Sequence, residues 1–136
     1  MITQKEFSLP PFPRGFHLIT SHIISKADEL PETGMVHLFV RHTSAALTLN
    51  ENADPTVRSD FEAFISKLIP ENDPVYEHLL EGADDMPAHI KSSLFGQGIW
   101  IPVTRGRLNL GTWQGIYLCE FRNHGGSRKI VMTVLS

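Results

Sequence analysis

Five side chains able to bind a metal ion or move a proton fall within residues 78–89: His78, Glu81, Asp84, Asp85 and His89. They lie in the stretch Tyr-Glu-His-Leu-Leu-Glu-Gly-Ala-Asp-Asp-Met-Pro-Ala-His-Ile-Lys, residues 76–91, around Gly82 and Pro87. Glycine permits backbone angles that a side chain forbids, and proline fixes its own φ. The stretch therefore reads as a shaped turn leading into a helix. Imidazoles and carboxylates gathered on such a turn can hold a divalent cation or serve as general acid and base. A solvated acidic loop with two surface histidines is the plainer reading of the same residues, so the rest of the chain has to decide.

A third imidazole, His42, ends a run in which Val36, Leu38 and Val40 alternate with His37, Phe39 and Arg41. In that period His42 falls on the apolar face, where a polar group needs a partner. His42, His78 and His89 all begin or end elements beside acidic or amide side chains. Three neutral imidazoles suit Zn2+ or a similar cation with one position left open for water or substrate; Mg2+ is the other candidate for this divalent metal site. The three are expected to converge, with Asp84 or Asp85 ligating the ion or holding one of its ligands. The alternative is a capped core histidine at 42 and two exposed ones. His17, His22 and His37 are read as structural or surface residues.

Adjacent strand residues point to opposite faces, so His42 and Thr43 do not face one another, and a serine-type hydrolase built on Thr43 or Ser44 is disfavoured. Glu120 shares a face with Ile116 and Leu118, and a carboxylate there is either paired to a cation or functional. With Asp84 and Asp85 it completes the candidate catalytic carboxylates. Arg105, Arg107 and Arg128 sit near glycine turns, and guanidinium matches phosphate oxygens. Together with Lys91 they are the candidate substrate-binding residues. Arginines on such turns are also common as plain surface. Residues 123–128 could form a small anion-binding nest or simply a hairpin turn. Cys119, between Leu118 and Glu120, reads as a buried inert thiol.

The elements that must position these groups follow from period and punctuation. Residues 5–9 suit a short edge strand before Pro10, Pro11 and Pro13, and residues 15–20 suit a second strand. Ser21 can cap a short helix carrying Ile23, Ile24, Ala27 and Leu30, ended by Pro31 and Gly34. Residues 35–42 and 45–50 read as strands. Asp54 and Pro55 begin a helix whose apolar face is Val57, Phe61, Phe64, Ile65 and Leu68, stopped by Pro70. Asp85 can cap a further helix carrying Ile90 and Leu94 and closed by Gly96. Residues 99–103, 113–122 and 129–135 are β-branched or aromatic runs. Helices scattered between hairpins predict an α+β fold with antiparallel-rich sheets and two or three helices, one domain over residues 1–136. Residues 113–122 are apolar on both alternating faces, so a neighbouring subunit is expected to cover one of them, unless the helices do so.

Composition narrows the partners. The 136 residues carry a net charge of −3, and 41% are hydrophobic and 20% charged. That is an ordinary soluble balance and the wrong sign for a nonspecific nucleic-acid binder. A single cysteine excludes an intrachain disulfide and suits a reducing compartment, and no apolar run reaches membrane-spanning length. The expected location is cytoplasmic. No His-Glu-x-x-His, P-loop, dinucleotide-binding glycine pattern or cysteine-pair zinc motif is present.

Three longer segments resemble the YjbQ family of small bacterial and archaeal proteins. They are His-Thr-Ser-Ala-Ala-Leu-Thr-Leu-Asn-Glu-Asn at 42–52, Glu-Gly-Ala-Asp-Asp-Met-Pro-Ala-His-Ile-Lys-Ser-Ser-Leu at 81–94, and Gly-Arg-Leu-Asn-Leu-Gly-Thr-Trp-Gln-Gly-Ile at 106–116. The Asp84-Asp85-Met86-Pro87 form, with the turn at 124–128, looks like the YjbQ branch proper. The resemblance implies an α+β fold, a homotrimer with clefts at subunit boundaries, and a secondary thiamine-phosphate synthase activity. That reaction joins an aminopyrimidine methyl diphosphate to a thiazole phosphate and releases pyrophosphate. Small phosphorylated metabolites are then the expected partners. The competing expectations are a non-catalytic module for a metal or phosphorylated metabolite, and a metal-dependent hydrolase.

Overall fold

Period-two alternation builds most of the molecule. The computed structural model describes residues 1–136, with β1 (Ile2–Ser8), β2 (Gly15–Leu18), α1 (Thr20–Lys26), β3 (Thr33–Val40), β4 (Ala45–Glu51), α2 (Pro55–Leu68), α3 (Asp85–Phe95), β5 (Gly98–Thr104), β6 (Arg107–Leu108), β7 (Gln114–Glu120) and β8 (Lys129–Leu135). The strands form a five-stranded sheet in the order β1-β8-β3-β5-β6 and a three-stranded sheet in the order β2-β7-β4. Every paired neighbour is antiparallel. This is the α+β fold that the sequence predicts.

The alternating residues of β3 do what their period requires: Val36, Leu38 and Val40 are fully buried. They meet Ile101, Val103 and Ile130 of their own sheet and Leu47, Ile116 and Leu118 of the smaller one. Removing such side chains from water stabilises the fold by about 1.5–3 kcal/mol each. On the other face of β7, Tyr117 and Cys119, followed by Phe121, pack with Phe16, Ala46 and Ala88 in a second core, closed by Phe61 and Ile65 of α2 and Phe95 of α3. The smaller sheet is thus sandwiched between the larger sheet and two helices. β7 is covered on both faces inside one chain, so it needs no neighbouring subunit for cover.

Local signals set the helix starts. The Asp54 carboxylate accepts the Thr56 backbone N–H at 2.9 Å, with Pro55 at the first helical position. The apolar stripe of α2 is wider than its contact line, however. Phe61 and Ile65 pack inward while Phe64 is 64% and Leu68 59% exposed. Gly96 closes α3 with a φ of +93°, as expected of a residue without Cβ.

Three expectations need correction. The first strand starts earlier, at Ile2, because it pairs along its whole length with β8, from Ile2 opposite Leu135 to Ser8 opposite Lys129. Ser21 caps nothing: α1 begins at Thr20, whose hydroxyl accepts the Ile116 N–H of β7 at 2.9 Å, and ends at Lys26, leaving Leu30 outside it. Asp85 is the first helical residue of α3 rather than its cap, a position held by Asp84. The first two outcomes were decided by strands distant in sequence.

Gly34 sits where β3 passes between β5 and β8, and a Cβ there would overlap the Leu135 carbonyl oxygen. The obstacle is backbone hydrogen-bonded in a sheet and cannot swing aside. Gly34→Ala is expected to destabilise the fold by about 1–3 kcal/mol, measured as a lowered midpoint in urea with an unchanged slope.

Candidate metal centre

The first turn of α3 and the segment before it bring three candidate ligands together. Asp85 and His89 are four residues apart on the helix and therefore share a face. His89 Nε2 lies 3.1 Å from Asp85 Oδ2. His78, arriving from the segment that follows α2, places Nε2 2.7 Å from the same oxygen. One nitrogen from each ring and one carboxylate oxygen all fall within 4.8 Å of one another.

The proton positions follow from the partners. His89 Nδ1 is 2.9 Å from the Thr43 carbonyl oxygen, which can only accept, so Nδ1–H donates. In the neutral ring Nε2 then carries a lone pair, and it faces a carboxylate oxygen. Two electron-rich atoms do not attract at that distance; a cation shared by them, or a second proton on the ring, resolves the contact. Metal-bound histidines usually donate their other N–H to a carbonyl or carboxylate in this way. The residues present therefore fit a divalent cation.

Arg122 holds the acidic side in place. It donates from Nε to Asp84 Oδ2 at 2.9 Å, from Nη1 to Asp85 Oδ1 at 2.5 Å and from Nη2 to the Glu81 carbonyl at 2.9 Å. Asn123 N–H adds a bond to Asp84 Oδ2. Burial by itself pushes the Asp85 carboxyl up, but His78, His89 and Arg122 together outweigh it and hold the group below the usual carboxylate range. Asp85 thus offers one oxygen to the arginine and the other to the histidines. Arg122 escaped the sequence reading; its faint signal is that it follows Glu120 at the same alternation, two residues past the end of β7.

The other expected site residues lie elsewhere. His42 does not join His78 and His89; its Nε2 accepts the Lys129 backbone N–H at 2.8 Å. Arg128 and Glu120 form a buried pair, Nε to Oε1 at 2.7 Å and Nη2 to Oε2 at 2.6 Å, with Nη2 also donating to Ser44 Oγ at 2.9 Å. Glu120 is wholly buried and Arg128 is 5% exposed, so the arginine holds a carboxylate rather than a phosphate. Gly125 passes so close over Glu120 that a Cβ would strike the carboxylate.

Lys91 is also walled in, with Nζ 3.5 Å from Ser66 Oγ and over the Phe121 ring, and burial pushes its ammonium down. Arg105 lies in the turn before β6, the outermost strand of the larger sheet, and Arg107 opens that strand; neither makes an ion pair or hydrogen bond with the cluster. Cys119 is buried, and burial pushes its thiol up. Of the expected set, His78, His89, Asp85 and Asp84 come together; Lys91, on the same helix, turns to Ser66 and Phe121 instead, and the others are placed by the strands and turns that carry them.

Comparison with known proteins places the whole arrangement in a set of relatives. A family model described as UPF0047 protein YjbQ-like matches residues 5–136. The UPF0047 protein YjbQ of Salmonella typhimurium is 58% identical over 133 residues, covering 96% of each chain. Among solved structures, a conserved hypothetical protein from Thermus thermophilus is 36% identical, with a TM-score of 0.82 over 97% of this chain and 99% of that one. A YbjQ-like protein of unknown function from Sulfolobus solfataricus is 24% identical with a TM-score of 0.85, covering 100% of this chain and 98% of that one, a likeness of fold.

Proposed function

The chain belongs to the YjbQ-like UPF0047 family, and from that we propose that it is a metal-dependent protein acting on small phosphorylated molecules, with the thiamine-phosphate synthase reaction as its activity. The observation that carries the metal is the His89 ring, fixed by Thr43 with its other nitrogen turned to Asp85 and His78. Two imidazoles and one carboxylate favour Zn2+ over the all-oxygen shell that Mg2+ prefers.

In the proposed reaction the thiazole nitrogen attacks the methylene carbon of the aminopyrimidine. A C–N bond forms, the C–O bond to the diphosphate breaks, and the electron pair departs on pyrophosphate. A bound divalent ion supplies positive charge against that leaving group. The chain's part is to hold it: His78, His89 and Asp85 as ligands, Arg122 orienting Asp85, and Asp84 orienting Arg122. Glu120 orients Arg128 and through it Ser44.

The test is thiamine-phosphate formation by purified protein, as prepared, chelated and reloaded with Zn2+. Loss on chelation and recovery on reloading are expected; activity indifferent to chelation would remove the metal from the reaction. A second reading, a module that holds metal or metabolite without turnover, draws on the openness of the cluster, where the His78 side chain is 44% exposed. Saturable Zn2+ binding with no product from any form would favour it.

The same proposal includes self-assembly as a trimer. Its support is the outward face of the larger sheet, where Phe39 and Trp100 are 42% and 53% exposed beside Met35, Pro102, Val131 and Leu135. An unpaired apolar face of this kind suits a protein contact. Trp100→Asp is expected to shift the sedimentation coefficient from trimer towards monomer while the circular dichroism spectrum stays unchanged; a monomeric unaltered protein at micromolar concentration would reject the assembly.

A further inference from the structure

We propose that Arg41, His42 and Lys129 form an anion site that takes the phosphate group of a small phosphorylated ligand. This rests on the reading that such molecules are the partners, and it assigns residues that the metal cluster does not use.

The argument starts at His42. The Lys129 N–H can only donate, so the His42 Nε2 it contacts is an acceptor, and the proton of the neutral ring sits on Nδ1. Nδ1 makes no hydrogen bond, yet it is absent from the buried atoms that lack partners, His22 Nδ1 and Glu62 Oε2. It is therefore a donor held in fixed orientation and open to solvent. His42 itself lines a groove of about 370 Å3, with Phe39, Val40, Arg41, Thr43 and Gln97.

Cations flank this donor. Arg41 N–H bonds the Lys129 carbonyl at 3.0 Å, which binds the end of β3 to the start of β8, and the charges of both residues reach the imidazole. The Arg41 guanidinium commits only Nη1, to Glu6 Oε1 at 2.6 Å, and stays 53% exposed. The Lys129 ammonium has no ion-pair partner among the salt bridges of the chain. Arg128 lies behind, neutralised by Glu120. Burial, and then the charges of Arg128, Lys129 and Arg41, keep the imidazole below its ordinary range, with Glu120 opposing them. The ring is thus a neutral donor in a positive surrounding. A phosphate monoester offers separate oxygens to an imidazole N–H, a guanidinium and an ammonium, and bonds to an ionised acceptor are the strong ones. The neighbouring Thr43 carbonyl holds His89, so this groove is one residue along the chain from the support of the metal centre.

The experiment uses chelated protein titrated with inorganic phosphate and with methyl phosphate at fixed ionic strength, followed by 15N-resolved spectra. The expected result is a saturable shift of the His42 ring nitrogens and the Lys129 amide, with affinity reduced about tenfold in Lys129→Ala and in Arg41→Ala. Both substitutions are at exposed side chains and leave the core intact. Unchanged affinity in both variants, or shifts confined to Arg105 and Arg107, would overturn the proposal. Zn2+ binding is measured on the same variants and is expected to be unchanged. Failure here with Zn2+ bound leaves the metal reading standing; phosphate bound at His42 with no Zn2+ uptake strikes that reading alone.

Discussion

His89→Ala is expected to weaken Zn2+ binding by well over about a hundredfold, since removing a ligand exceeds the ten- to hundredfold loss that follows when only a ligand's supporting partner is removed. Asp85→Asn should do the same: it keeps the shape but loses the charge that both histidines and Arg122 face. Arg122→Ala tests the support alone. It leaves His78, His89 and Asp85 unchanged but takes the guanidinium from Asp85 Oδ1 and Asp84 Oδ2, and a loss of about ten- to a hundredfold is expected. Calorimetric titration of Zn2+ into metal-free protein reads all three. Equal affinity in His89→Ala and the unaltered protein would sink the site, wherever else the metal bound. A ranking with Arg122→Ala worst would mean that the arginine's role is structural, which thermal melting of the same variant would reveal.

The second large effect is on stability. Arg128→Met leaves the Glu120 carboxylate wholly buried without a countercharge, in contact with Gly125 and cut off from water. Breaking a buried pair on one side costs about 3–5 kcal/mol. For a chain of this size that corresponds to a fall of about 10 °C or more in Tm. The double variant Glu120→Leu with Arg128→Met removes both charges and is expected to recover much of the loss, because a buried pair itself adds little over apolar residues of like volume. Ser44 would keep a polar hydroxyl near that site, so recovery should be incomplete. Arg128→Met melting like the unaltered protein would show that the pair is not needed to offset Glu120.

These two predictions divide along the line between what was legible in the residues and what was not. The cluster on α3 was legible because its parts are close in sequence. Asp85 and His89 are one helical turn apart, and the Gly82 and Pro87 punctuation announces the turn that returns His78 to them. The buried stripe of β3 and the two-sided burial of β7 were likewise carried by period-two alternation. Glu120 stood out as a charge on an apolar face, and a cation partner was one of its two readings.

Which cation it would be, and what His42 would meet, were decided by the pairing of strands. Arg128 reaches Glu120 across the turn between β7 and β8, Ser44 reaches Arg128 over 84 residues, and His42 finds the Lys129 amide over 87. Thr43 holds His89 over 46 residues through a backbone carbonyl, a group every residue carries and no side-chain pattern can mark. Periodicity states which face a side chain takes, because that follows from local backbone geometry. It does not state which strand lies opposite, since that depends on the order and register of sheets assembled from the whole chain. The sequence by itself therefore determined the class of fold, the inward faces and the acidic half of the candidate metal cluster. Only the tertiary structure decided that Arg128 would be spent on Glu120, that Arg122 would brace the aspartates, and that His42 would face a groove of its own.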